Sequence, residues 1–148
     1  MGRIQNTVHI AQPIAEVFAY AVDPATWPEW DVTVTGVIPP EMPLRVGVVI
    51  PMRMRFMGRD DDIERRVLVY EPNIRFVTES RKPFPLTIAW TFAPENAGTR
   101  VVRDGELKSS GIIGLLSPVL RRIARRTDQA SLERMRLLLE ARRSEASS

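Results

Sequence analysis

Histidine, the side chain most often used as a general base, occurs once in this sequence, at His9. A catalytic or metal-binding histidine usually works with a partner that orients it. The segment around it alternates in polarity, so His9 falls on the face opposite Val8 and Ile10, away from the apolar side. We therefore assign His9 no role in catalysis or metal binding.

A run of three carboxylates, Asp60-Asp61-Asp62, could attract a hard cation such as calcium, which prefers oxygen ligands. No EF-hand spacing follows the run. A solvated polar turn at Gly58 to Asp62, between two strands, explains it better. We expect no metal site.

Two pairs of charged residues share single faces of predicted strands: Asp104 with Glu106, and Glu64 with Arg66. A charged group that faced the interior would have a shifted pKa and could orient or deprotonate a ligand. Both strands also carry apolar residues on each face, namely Val101, Val102, Val67 and Leu68. The sequence therefore leaves the orientation open and identifies no catalytic residue.

Several classes of chemistry are excluded by what the sequence lacks. There are no cysteines, which excludes disulfides, thiolate catalysis and cysteine-ligated zinc. No Gly-rich phosphate loop, GxSxG, HExxH or Walker pattern occurs. We expect neither nucleotide-driven nor classical hydrolytic chemistry, and we expect no cofactor.

The net charge of +3 comes from one segment, because residues 116–143 hold eight arginines against three acids. The pairs Arg121-Arg122 and Arg125-Arg126 could bind phosphates, an anionic membrane or RNA. A solvated helix face whose Arg stems cover sheet edges is the favoured interpretation. We expect no nucleic-acid partner, and weak contact with a membrane surface stays open. Arg134, at the centre of the apolar stripe of this helix, has no settled explanation from sequence.

A length of 148 residues suits one domain, which we take to span residues 1–148. No apolar run approaches the roughly 18–20 residues that span a bilayer. The first residues lack the apolar stretch of a signal peptide, and Asn6 does not fit a myristoylation signal. We expect a cytoplasmic protein; its oligomeric state is unknown.

Most of the chain shows the two-residue alternation of strands. The predicted strands are Ile4 to Ile10, Asp31 to Ile38, Arg45 to Phe56, Ile63 to Tyr70, Arg75 to Ser80, a strand starting at Pro83-Phe84-Pro85, and Thr99 to Lys108. Short turns join the last six, which indicates an antiparallel meander.

Helical spacing appears in two places. A short helix begins near Pro13 and ends before Asp23-Pro24, and a brief helical turn follows to Trp30. A long helix starts at Ser117-Pro118 as an N-cap and first residue, or continues from Ile112 with a kink. It should end near Arg143, with a frayed tail at 144–148. Its apolar stripe is predicted to hold Leu120, Ile123, Thr127, Ala130, Leu137 and Leu138.

These elements predict an α+β fold in which a curved seven-stranded antiparallel sheet wraps around the long helix. A curved sheet around one helix seldom fills completely, so the two layers can leave an apolar cavity. The side chains expected to line it and contact a ligand are Phe18, Trp27, Trp30, Met52, Met54, Phe56, Phe76, Phe84, Ile88, Trp90, Leu116, Leu120 and Ile123.

Several segments resemble the START-like (SRPBCC) superfamily of polyketide cyclase/dehydrase and lipid-transport domains, which have the helix-grip fold also called START/Bet v 1-like. The segments are the opening strand with Ala11 to Phe18, Asp23-Pro24, Trp27-Pro28-Glu29-Trp30, Val46-Gly47, Tyr70-Glu71-Pro72, Gly98-Thr99-Arg100-Val101 and Gly111 to Leu120. They cover nearly the whole chain in order. The resemblance implies an elongated apolar cavity between the helix and the concave sheet face, and carries over no catalytic motif.

Three functions are compatible with this interpretation. The first is binding of a small hydrophobic ligand, such as a lipid, isoprenoid, polyketide or other aromatic molecule. The second is a cyclase/dehydratase-type enzyme that uses the same cavity to hold a reactive chain. The third is an interaction protein that presents its Arg-rich helix to an acidic partner, membrane or RNA.

Overall fold

The structure, a computed structural model, describes residues 2–82, 85–107 and 118–147. Its strands are β1 (Gly2–Ile10), β2 (Val34–Val37), β3 (Val49–Phe56), β4 (Arg59–Glu71), β5 (Arg75–Ser80), β6 (Leu86–Glu95) and β7 (Gly98–Leu107). Helix α1 is Ile14–Val22, a 3-10 turn is Pro24–Thr26, α2 is Trp27–Trp30, and the C-terminal helix is Pro118–Ser147. Of the predicted residues, Phe84, Leu116 and the Ser117 cap lie outside the described part.

The strands form one antiparallel sheet in the order β1-β7-β6-β5-β4-β3-β2. The meander predicted from the short turns is confirmed for β2 to β7, and β1 closes onto β7 with Asn6 opposite Arg103. The α+β prediction, with seven strands, short helices after β1 and a long C-terminal helix, is confirmed.

Two hairpins have two-residue turns with positive φ at both positions, the geometry that matches strand twist. They are Met57-Gly58 between β3 and β4 and Asn96-Ala97 between β6 and β7. The predicted turn at Gly58 to Asp62 is therefore too long. Asp60, Asp61 and Asp62 belong to the β3–β4 ladder instead.

Two predicted strands begin later than the alternation indicated. Asp31 starts a turn, since its Oδ1 accepts hydrogen bonds from the Thr33 backbone N–H at 3.0 Å and its hydroxyl at 2.7 Å. This local bonding competes with strand pairing, and β2 starts only at Val34. Before β3, Gly47 has φ +96°, which breaks the extended backbone that Arg45 and Val46 were predicted to begin.

The C-terminal helix buries a different stripe from the predicted one. Leu132, Met135 and Leu139 are fully buried, whereas Leu137 is 59% exposed. Polar residues occupy the same inward line: Ser131 is buried, and Asp128 is bonded to Asn6 of β1. The helix face predicted from the apolar residues alone is therefore rotated about the helix axis relative to the face that is buried.

The helix continues to Ser147, beyond the predicted end near Arg143. It lies along β1 in the same direction, because Asn6 bonds the backbone oxygen of Arg125 and Gln12 bonds that of Leu139. No described helix is both long and apolar enough to cross a membrane.

Candidate functional site

The predicted ligand contacts that the structure describes come from the sheet, from α1 and α2, and from the C-terminal helix. Those buried in the main hydrophobic cluster are Phe18, Trp27, Trp30, Met52, Phe76, Ile88 and Trp90. Met54 is partly buried against the same cluster, and Leu120 and Ile123 are half-buried. Phe56 is 37% exposed, because it ends β3. Ligand contact by any of these side chains stays a prediction.

Aromatic rings follow one another in this cluster. Trp30 meets Trp90 edge-on at 5.4 Å between ring centroids, and Trp90 stacks on Phe92 at 6.2 Å. Phe18 continues the series from Phe92 at 5.0 Å to Tyr70 at 5.6 Å. Each such pair adds about 0.5–1.5 kcal/mol beyond area burial. The result is a continuous series of contacting rings, which we call the aromatic wall.

Burial is incomplete at one end of the main hydrophobic cluster. The antiparallel pairings put the start of β1, the end of β3 and the start of the C-terminal helix at the same end, which we call the lower end. Phe56, Leu120 and Ile123 all belong to it. At the opposite end, Leu132, Met135 and Leu139 are fully buried. Solvent therefore reaches apolar side chains at the lower end.

A buried ion-pair network, which the sequence reasoning missed, connects the sheet to the helices. Arg103 of β7 lies 3.3 Å from Asp31 and 3.0 Å from Asp128, measured between guanidinium nitrogen and carboxylate oxygen. Asn6 donates to the second oxygen of Asp128 at 2.8 Å. The Arg103 guanidinium also lies over the ring of Trp90, 4.8 Å from its centroid. Burial alone would lower the pKa of Arg103, but the attraction of Asp128 and Asp31 outweighs it, so its pKa lies above the ordinary value.

A second inward arginine, Arg65 of β4, has no such partners. It is 5% exposed and lies between Ile63 and Val67, which are buried in the core. Its Nη2 reaches only the Met54 sulfur, at 3.6 Å, and its Nη1 is buried with no hydrogen-bond partner in the described structure. Burial, with repulsion from Arg103, lowers the pKa of Arg65 to about 10 despite the attraction of Asp31. The side chain therefore stays charged at neutral pH.

Alternation could have revealed both arginines. Arg65 shares parity with Ile63 and Val67, and Arg103 shares parity with Val101. The apolar neighbours Leu68 and Val102 obscured this pattern. Leu68 lies at an irregularity of the β4–β5 register, so strand parity breaks there.

The sequence left open whether Glu64/Arg66 and Asp104/Glu106 face the interior. The alternation of buried and exposed residues along β4 and β7 puts them on the outer face. Glu64 and Arg66 are exposed, on the opposite face from Arg65. Asp104 is bound by Arg3 of β1 on the outer face. The buried charged residues on the inner faces of β4 and β7 are Arg65 and Arg103. Asp61, on the same face of β4 near the start of the strand, is only partly buried and pairs with Arg59.

The remaining candidates have local partners. His9 Nδ1 lies 3.0 Å from Glu95, and both side chains are well exposed. The hairpin carboxylates form exposed ion pairs: Asp60 with Arg55, Asp61 with Arg59, and Asp62 with Arg53. Within the described residues, no group of three or more histidine or acidic side chains is placed to hold a metal ion.

The Arg-rich part of the C-terminal helix faces outward. Arg121, Arg122, Arg125 and Arg126 are exposed. Arg134 is exposed as well, and its Nε donates to the Glu29 carbonyl at 2.5 Å. It therefore holds the last turn of α2, which explains a residue that the sequence left unexplained.

Comparison with known proteins identifies the family to which the chain belongs. The sequence matches the family described as polyketide cyclase / dehydrase and lipid transport over residues 1–140. The chain belongs to this family. The resemblance stated from sequence is thereby confirmed, and no curated protein matches the chain.

Solved structures show the fold of this family member. Protein CV1439 from Chromobacterium violaceum is 20% identical with a TM-score of 0.74, covering 95% of this chain and 99% of that one. The di-domain ARO/CYC StfQ from the steffimycin biosynthetic pathway is 15% identical with a TM-score of 0.76, covering 96% of this chain and 52% of that one. Ara h 8.0201 is 8% identical with a TM-score of 0.71, covering 94% and 97%. The helix-grip fold is therefore confirmed, and this chain spans about half of the di-domain protein.

Proposed function

We propose that the protein binds a small hydrophobic ligand between the C-terminal helix and the concave face of the sheet. The observation that carries the proposal is the incomplete burial of the apolar residues Met54, Phe56, Leu120 and Ile123 at the lower end of the buried hydrophobic cluster. Apolar groups that water reaches at the edge of a buried wall provide an entrance for an apolar molecule. Membership of a family described by polyketide cyclisation and lipid transport supports the same use.

The test is a titration with N-phenyl-1-naphthylamine, an uncharged dye that fluoresces in apolar surroundings. We expect saturable binding of one dye per chain. Ile123→Glu places a charge among the half-buried residues and should weaken binding at least about tenfold, because a carboxylate is costly to desolvate. Val119→Glu, one helical turn earlier and 66% exposed, is the matched control and should bind as wild type.

Unsaturable or absent dye binding would refute the proposal, as would equal loss in both variants. Native mass spectrometry of freshly purified protein gives a second measurement. A copurified small molecule that the dye displaces would identify the natural ligand class.

A second candidate, an enzyme of cyclase/dehydratase type, is favoured by the ionisable groups on the inner side, Arg65, Arg103, Asp31 and Asp128. The protein would hold a reactive chain in a productive conformation, which supplies rate through orientation. Incubation with a synthetic linear poly-β-keto thioester would test it. Faster appearance of aromatic absorbance with wild type than with buffer supports the enzyme, and equal rates leave the binding function alone.

A further inference from the structure

Arg65 and Arg103 are both buried and charged, but only Arg103 has carboxylate partners. Arg103 contacts two carboxylates, whereas no carboxylate lies within ion-pair distance of Arg65 among the described residues. Removing a guanidinium from water without acceptors costs several kcal/mol in general terms. The guanidinium of Arg65 is thus buried while its Nη1 donors make no hydrogen bond.

The surroundings of Arg65 suit a polar group of a ligand. Continuing the pairing of Arg66 with Glu79 by one residue puts Ser80 of β5 beside Arg65. Ser80 and Thr78 are buried, so the strand beside Arg65 carries two buried hydroxyl residues, Thr78 being opposite Val67. Ile50 lies across from Arg65 on β3 and Met54 supplies only a thioether. Neither neighbour on β3 is a strong acceptor.

The charged groups that face Arg65 from other elements do not occupy its hydrogen-bond donors either. Asp31 attracts it and Arg103 repels it, but neither forms a hydrogen bond with it. Asp31 and Asp128 are both already held by Arg103. An oxygen anion arriving at Arg65 would therefore find a donor fork that no internal carboxylate occupies.

We propose that Arg65 is the anchor for an oxyanion of the ligand, a carboxylate or an ionised phenol or enol, whose apolar part lies against the aromatic wall. This inference rests on the proposed function and narrows its ligand class to acidic amphipathic molecules. A guanidinium fork matches two oxygens of one carboxylate, and such charge-assisted hydrogen bonds are roughly twice as strong as neutral ones. The anchor sets the orientation of the ligand, and the wall supplies the apolar contact.

The experiment uses displacement of N-phenyl-1-naphthylamine at pH 7.5 by two matched pairs of probes. The first pair is anthracene-2-carboxylate and its methyl ester, and the second is 2-hydroxyanthracene and 2-methoxyanthracene. Wild type should prefer the acidic member of at least one pair by about tenfold or more. The preferred pair identifies carboxylate or phenol as the anchor chemistry.

Variants assign the preference to the residue. Arg65→Met should abolish it while leaving affinity for the uncharged members within about twofold. Arg65→Lys, which keeps the charge and loses the fork, should retain part of it. Arg66→Met, next along β4 but exposed on the outer face, is the matched control and should keep the full preference.

Equal displacement by both members of each pair in wild type would overturn the inference, as expected if water alone satisfies Arg65. Survival of the preference in Arg65→Met would overturn it too. Either result leaves the proposed function intact so long as the dye binds, whereas failure of dye binding refutes the proposed function itself.

Thermal unfolding of ligand-free protein separates an anchor from a structural residue. An unpaired buried charge replaced by an apolar side chain is neutral or stabilising. Arg65→Met should therefore melt at the same temperature as wild type or higher. A clear fall in melting temperature that Arg65→Lys restores would show a structural role and contradict the proposal.

Discussion

Arg103 of β7 and Asp128 of the C-terminal helix form an ion pair of 3.0 Å with little solvent at either side chain. The pair fastens the helix to the sheet, and Asn6 of β1 adds a hydrogen bond to the same carboxylate. Asp31 contacts the same guanidinium from the turn after α2, so three separate parts of the chain meet at Arg103.

Arg103→Met should destabilise the protein by about 3–5 kcal/mol, because it leaves two largely buried carboxylates without their counter-ion. Urea unfolding at pH 7 measures the change. Arg100→Met, on the same strand but exposed, is the control and should stay within about 0.5 kcal/mol of wild type. A loss below about 1 kcal/mol in Arg103→Met would show that the network contributes little.

Tyr20 should titrate late. Burial, with a hydrogen bond from its hydroxyl to Glu29 at 3.0 Å, raises the pKa of Tyr20 to about 12 from 10.0. Between pH 10 and about 12, the Tyr20 hydroxyl therefore stays protonated in the folded state and is ionised in the unfolded state. Its contribution to stability is complete below pH 10 and is lost as the pH rises toward about 12.

Absorbance at 295 nm measures this directly, because it reports tyrosinate. The difference between wild type and Tyr20→Phe should rise only near pH 12. In urea, the two proteins should also differ less at pH 12 than at pH 9. A difference spectrum that titrates near pH 10 would contradict the assignment.

Gly98→Ala should destabilise the start of β7. A Cβ added at Gly98 would lie 2.4 Å from the Ile10 backbone oxygen, which cannot move without disturbing the β1–β7 pairing. Overpacking of this kind costs about 1–3 kcal/mol. Gly36→Ala is the matched control, since nothing lies within 4 Å of its added Cβ. Equal unfolding midpoints for the two variants would refute the prediction.

Calcium should leave the stability unchanged. Asp60, Asp61 and Asp62 are paired with arginines of the β3–β4 hairpin in exposed ion pairs rather than arranged around a common point. We expect the same melting temperature with millimolar calcium as with chelator. A rise with calcium that Asp61→Asn removes would reveal a metal site.

Patterns along single elements predicted most of the fold, because alternation and turn residues act locally. The limits appear where tertiary contacts decide. Asp128 faces inward because Asn6 and Arg103 bind it, and no periodicity of apolar residues reports such a partner. The two inner arginines were missed because apolar residues on both faces of β4 and β7, such as Leu68 and Val102, obscured the alternation.

Burial of the large apolar side chains was easier to predict than the inner charges. Phe76 and Trp90 are buried where alternation put them, because large apolar side chains gain most from leaving water. These apolar side chains do not indicate which ligand they would bind. Apolar contact is non-directional, and the residue with directional chemistry, Arg65, lies among side chains that hide its parity.

The closure of β1 onto β7 has a consequence for how the protein is made. Residues of β1 find their partners about a hundred positions away, as in the pairing of Asn6 with Arg103, and the C-terminal helix then packs along β1. Such distant contacts are costly to form early, since a long loop must be closed first. During synthesis the opening strand therefore has no strand partner until β7 has been made. The concave surface is completed only after the last helix has left the ribosome, so a chain halted before it would expose the aromatic wall to the cell.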